Sequence, residues 1–88
     1  MGDYGEYKKL LCRELKKRII AAGGKGVRVN GGRGTAWGWI EVWGAKYSMF
    51  TKRQRKAVEK VCKSPAGGNC WVGQLKEVGG VLGIPSPA

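Results

Sequence analysis

In the run RGTAWGWIEVW, residues 33–43, Trp37, Trp39 and Trp43 take odd positions together with Glu41, while Ala36, Gly38, Ile40 and Val42 take even ones. Side chains alternate across a strand, so the pattern predicts one aromatic face and one small aliphatic face. Upstream, Val27 and Val29 alternate with Arg28 and Asn30, and the glycine-rich NGGRG separates the two runs. Together they predict a β-hairpin, with glycine supplying the positive φ of a tight turn. A short even-numbered loop centred on Gly32 and Arg33 sets Asn30 opposite Thr35, Val29 opposite Ala36, Arg28 opposite Trp37 and Val27 opposite Gly38. Paired residues share a face, so this register joins the valines to the aliphatic side and Arg28 to the tryptophans. An odd loop would move Arg28 to the aliphatic side. We therefore expect the aliphatic face to pack on helices and the tryptophan face to point away. The competing reading buries the tryptophans, because a small domain has few large side chains to spare for its core.

Helices should flank this hairpin. In residues 6–22, Tyr7, Leu11, Leu15, Ile19 and Ala22 recur at spacings of three and four, with Leu10 and Ile20 widening the stripe. Lys8, Lys9, Arg13, Lys16 and Lys17 fall mainly off it, and Gly23–Gly24 supply a stop. A second helix starts at Thr51, which with Gln54 matches a capping box. Ala57, Val58, Val61 and Cys62 form its apolar stripe, and Pro65 with two glycines follows it. Residues 45–50, AKYSMF, read as a third short strand or a connector. CWVGQLKEVGGVLGI, residues 70–84, reads as a third, weaker helix interrupted by Gly79 and Gly80. The fold class expected is therefore α+β. It is one small domain over residues 1–88, ordered from about 5 to 84, with the tail 85–88 frayed. Its order is helix, β-hairpin (with a three-stranded antiparallel sheet as the variant), helix and short C-terminal helix.

Charge narrows the function. Seventeen Lys and Arg oppose six Asp and Glu among 88 residues, a net +11 with a pI near 10.0. Beyond residue 63 only Lys76 and Glu77 are charged, so the excess lies in the first 63 residues. An excess of this size repels itself in a compact chain, and an anionic partner relieves the repulsion. Nucleic acid is the first candidate, ahead of an acidic membrane or protein and of a merely solvated surface. The residues MGDYGEYKKLL lack a signal-peptide layout, and no apolar run is long enough to span a membrane. The expectation is a cytoplasmic protein without membrane contact. Few Asn and Gln beside many Lys and Arg also fit a thermophile.

Catalysis and cofactors find little support. Histidine is absent, and Cys12, Cys62 and Cys70 lack CxxC spacing, so neither a metal site nor a cofactor is expected. Reduced thiols and a Cys62–Cys70 disulfide both remain open. The carboxylates show no spacing for acid–base work, and Glu41 among the tryptophans is read as a salt-bridge partner. No enzyme is expected.

The second helix carries Lys52, Arg53, Arg55 and Lys56 at its start. A helix N-terminus already bears positive partial charge, so cations there are unfavourable unless an anion sits among them. Free N–H groups suit a phosphate at that place. GGRG, residues 31–34, resembles the GxxG loop of KH domains, although that loop joins helices and this one joins strands; it is read as a flexible turn carrying the cation Arg33.

Two further resemblances concern longer stretches. The order helix, strands, helix, with TKRQRKAVEK opening the last, is similar to the double-stranded-RNA-binding domain, whose final helix presents a basic first turn to phosphates. FTKRQRKAVEKV followed by LKEVGGVLGIPSPA resembles archaeal helix-turn-helix DNA-binding regulators over residues 50–88. There a phrase like LTxRQxxAL opens the domain and one like LxEVAxxLGIS leads into the recognition helix, an element that this stretch stops short of. Gly79 and Gly80 stand where such a helix prefers alanine. Both resemblances imply nucleic-acid binding. The expected site is Arg28, Arg33, Trp37, Trp39, Trp43, Lys52, Arg53, Arg55 and Lys56, engaging DNA or RNA mainly through phosphates, with base stacking where tryptophan is exposed. The alternative is a protein–protein module docking through the tryptophan face, with a homodimer or a protein partner.

Overall fold

The computed structural model describes residues 4–32, 38–45 and 48–87. The order is α1 (Tyr4–Ala21), β1 (Arg28–Gly31), β2 (Trp39–Trp43), α2 (Lys52–Cys62), β3 (Cys70–Gln74) and α3 (Leu75–Leu82). The strands form one antiparallel sheet in the order β1-β2-β3. The fold is thus α+β, with three helices and three strands among the described residues.

α1 buries Tyr7, Leu11, Leu15 and Ile19, the stripe its periodicity predicts. Ile20 does not widen that stripe and stays exposed. The helix ends where Gly24 N–H donates to the Ile19 carbonyl at 2.8 Å and Gly23 takes φ 106°. In α2 the capping box forms as the spacing suggests: the Thr51 hydroxyl accepts from Gln54 N–H at 3.1 Å, and Gln54 Oε1 accepts from Thr51 N–H at 2.9 Å. The Gln54 side chain is buried and its Nε2 donates to the Lys25 carbonyl at 3.0 Å, so one residue caps α2 and ties it to the segment entering β1.

The hairpin keeps its faces and changes its register. Arg28 lies opposite Trp43, Val29 opposite Val42, Asn30 opposite Glu41 and Gly31 opposite Ile40. The expected partners Thr35, Ala36, Trp37 and Gly38 are displaced by six positions along β2. Six is even, so Arg28 still shares a side with Trp43 and Val29 with Val42. The expected register would have left Ile40 and Val42 beyond the end of β1. The observed one places them at the centre of the sheet, where both are fully buried. Gly32 closes the ladder, donating to the Trp39 carbonyl at 2.8 Å, and Lys8 of α1 donates to the Gly32 carbonyl.

The third strand comes from residues 70–74, a stretch expected to be helical. Residues 44 and 48–50 act as a connector: Gly44 N–H donates to Asn69 and Phe50 N–H to Gly68. In β3, Trp71 and Gly73 face inward and Val72 outward, with Trp71 opposite Val42 and Gly73 opposite Ile40. The 3.6 pattern starts only at Leu75, after which Leu75, Val78, Gly79 and Leu82 are buried. Gly73 has a steric reason: a Cβ there would overlap the Trp71 indole, which lies across it.

The helices cover the face formed by Ile40, Val42 and Trp71, and one core cluster joins it to the buried stripes of α1, α2 and α3. α1 touches β1, α2 and α3. Its Tyr7 hydroxyl donates to the Ile84 carbonyl at 2.7 Å, just beyond α3. A Cβ on Gly79 would overlap that hydroxyl, which accounts for glycine where alanine is the better helix former. Nothing in the structure explains Gly80, which faces open space.

Candidate nucleic-acid interface

Two surfaces result. One is the uncovered face of the sheet, on which no helix or strand among the described residues packs. The other is the outward side of the helices.

The register fixes the sheet surface. Arg28, Trp43 and Cys70 form one row across the strands, Asn30, Glu41 and Val72 the next, and Trp39 with Gln74 the third. Trp39 is 37% exposed and Val72 45%, while Trp43 and Glu41 are half-buried. Two of the three tryptophans in the opening run therefore lie on the uncovered face. Arg33 and Trp37 lie outside the described residues, as does the latter part of GGRG. Gly32, its second residue, is spent on Trp39 and Lys8.

On the helices, Lys52, Arg53, Arg55 and Lys56 are all exposed. Their surroundings differ. Arg55 Nε lies 3.7 Å from Glu59 Oε2, and that carboxylate also accepts from Ala66 N–H at 2.9 Å. Arg53 turns toward the end of α1, its guanidinium 4.0 Å from where a Cβ on Gly23 would sit, in a shallow pocket with Ile20, Lys25 and Gln54. The negative end of the α1 dipole compensates a cation placed there. Two of the four charges crowded at the start of α2 thus have local company. Lys52 and Lys56 have no ion pair among the described residues, and with Lys60 and Lys63 they make an exposed row along α2.

α1 adds a second row that was not singled out as a site. Lys9, Arg13, Lys16 and Lys17 are exposed, on the side of the helix away from Leu11 and Leu15. Their absence from the apolar stripe is legible in the sequence; what that periodicity cannot supply is that, among the described residues, no other element covers them.

The hydrogen bonds of the connector and of Gln54 hold the start of α2 at the end of the sheet where β1 begins, β2 ends and β3 begins. Arg28 and Trp43 lie at that same end. Trp39 lies at the other, four residues or about 13 Å along β2. The expected residues thus form a basic end, with Trp43 and Arg28 beside the start of α2, and a remote aromatic, Trp39.

Cys62 is buried beneath α2, and burial pushes its thiol up to about 12. Burial also raises Cys12, with nearby Lys8 pulling the other way. All three cysteines are free thiols. Among the described residues no cluster of His, Cys, Asp or Glu is placed to hold a metal, and no helix is long and apolar enough to cross a membrane. No family model, curated protein or solved structure matches the chain.

Proposed function

We propose that this chain is a non-enzymatic nucleic-acid-binding protein that engages phosphates through the exposed cations of α2 and α1, with the tryptophan-bearing sheet face as a stacking surface. One observation carries the reading: exposed lysines and arginines run along the outward sides of two adjacent helices, and Arg55 is the one α2 cation with a salt-bridge partner among the described residues. Uncompensated positive charge at this density is relieved by a polyanion. The row Lys52, Lys56 and Lys60 climbs α2 at about 1.5 Å per residue, roughly 12 Å in all, with Lys63 at the helix cap just beyond, and so can follow several phosphates of one strand.

The test is a salt titration against DNA, RNA and polyglutamate. Each phosphate contact adds close to 0.9 to the slope of log K against log salt on duplex, and about 0.7 on single strands. Changing Lys52, Arg53, Arg55 and Lys56 to Gln should reduce the slope and the affinity while leaving the fold intact. Lys52→Gln with Lys56→Gln should account for most of the loss, because Arg53 and Arg55 have local company. Unchanged affinity would remove α2 from the interface. Nucleic acid bound no better than polyglutamate, with tryptophan fluorescence unmoved, would favour docking on another protein instead, for which the uncovered sheet face is the natural surface.

A further inference from the structure

The centre of the uncovered sheet face is occupied by a carboxylate, and a phosphate-binding surface has no use for one. Glu41 lies between Trp39 and Trp43 along β2, with Asn30 opposite it on β1 and Val72 on β3. It was expected to pair with a Lys or Arg. Neither cross-strand neighbour is charged, and among the described residues nothing forms an ion pair or hydrogen bond with it. In a chain of net +11 this is an unusual place for one of six acidic groups.

The chemistry of the row suggests an occupant. Two residues along a strand are about 6.6 Å, so an indole stands at roughly that distance on each side of the carboxylate. Indoles offer flat faces on which unpaired bases stack. A carboxylate only accepts hydrogen bonds, so the base edges it favours carry amino groups: cytosine N4, adenine N6 and guanine N2. Uracil and thymine offer a single N3–H donor between two carbonyl oxygens, which a carboxylate repels, so they suit it less well. The same negative charge turns phosphates away from the middle of the face, toward the end where Arg28 and the start of α2 lie. Bases stacked within a duplex have no free face to lay on the indoles, so the row as a whole suits unpaired bases.

Resting on the nucleic-acid reading above, we propose that the uncovered sheet face selects unpaired, amino-bearing bases of single-stranded nucleic acid, stacked on Trp39 and Trp43 and read by Glu41, with Asn30 beside it able to donate or accept.

The experiment measures binding of the full chain to labelled oligodeoxycytidine, oligodeoxyuridine, a mixed duplex and polyglutamate. The two single strands differ at the ring edge, amine against carbonyl. Wild type should prefer the cytidine strand by about tenfold, the worth of one good hydrogen bond to a charged acceptor. Glu41→Gln should erase that preference, since an amide can serve either edge. Trp39→Ala should weaken both single strands at least fivefold, in line with the loss of one stacked base, and leave the duplex unchanged. Circular dichroism and thermal midpoints check that both variants fold. Equal binding of the two strands by wild type, tighter binding of uridine, or a Glu41→Gln gain that is equal on every polyanion would overturn the base-reading role. A Trp39→Ala variant that binds single strands normally would overturn the stacking role. In those cases nucleic-acid binding itself would survive. Binding of no nucleic acid above polyglutamate would instead overturn the function proposed above, and with it this inference. Concentration-dependent dimerisation abolished by Trp39→Ala would assign the face to a second copy of the chain, which also overturns it.

Discussion

Adjacent glycines in α3 give a sharp test of the packing, because one alanine should help and the next should harm. Both Gly79 and Gly80 lie inside the helix, and neither has positive φ. On propensity alone each Gly→Ala change gains about 1 kcal/mol. At Gly80 nothing lies within 4 Å of the new Cβ, so the gain should stand. At Gly79 the Cβ overlaps the Tyr7 hydroxyl and comes within 3.0 Å of the Ile84 carbonyl, the two groups joined by the 2.7 Å hydrogen bond. Overpacking costs about 1–3 kcal/mol and a broken hydrogen bond about 0.5–1.5, so after the propensity gain Gly79→Ala should lose about 0.5–3.5 kcal/mol. For a domain of this size 1 kcal/mol moves Tm by roughly 4–8 °C. Thermal and urea melts should therefore show Gly80→Ala raised by several degrees and Gly79→Ala lowered by about 2–28 °C. Tyr7→Phe combined with Gly79→Ala should cost less than the sum of the two single changes, since both disturb one contact. If the two alanine variants shift in the same direction, the close approach of α1 to α3 is wrong.

Two other expectations follow from single residues. Gln54→Ala removes one arm of the capping box and the hydrogen bond to Lys25 from a buried position, and should cost about 1–3 kcal/mol in a urea melt, against less than about 0.5 for Lys52→Gln nearby. The Cys62 thiol titrates at about 12 in the folded chain, against 9.0 as its ordinary value. The unfolded chain thus loses that proton first. Stability from this group is constant below about pH 9 and falls as pH rises toward 12, by up to about 1.4 kcal/mol per unit. The difference between wild type and Cys62→Ala across that range should isolate the slope from lysine titration, and parallel profiles would count against a buried thiol.

What the sequence made legible was local and periodic. The buried stripe of α1 and the Thr51–Gln54 cap depend on residues within a few positions of one another, and both could be read from spacing. The two hairpin faces were also legible, because parity survives any even shift. The register was not, since it depends on where Ile40 and Val42 must sit to meet Trp71 and the helices, which the two strands alone do not specify. β3 was hidden for a related reason: the later apolar positions fit a helix, and Trp71 and Gly73 declare a strand only once Trp71 is seen lying over Gly73. At the candidate interface, the α2 cations could be identified by their position at a helix start. The compensation of Arg53 by the end of α1 could not, because it joins groups far apart in the chain.

The bond from Tyr7 to Ile84 spans 77 positions. α1 leaves the ribosome before α3, which completes its seat. Its apolar stripe must wait until α3 has been made before it can be fully covered. Assembly should accordingly be slow for so few residues, governed by loop closure more than by helix formation. Chains stalled before residue 75 would display Tyr7 and Leu11 to any chaperone or aggregate in reach.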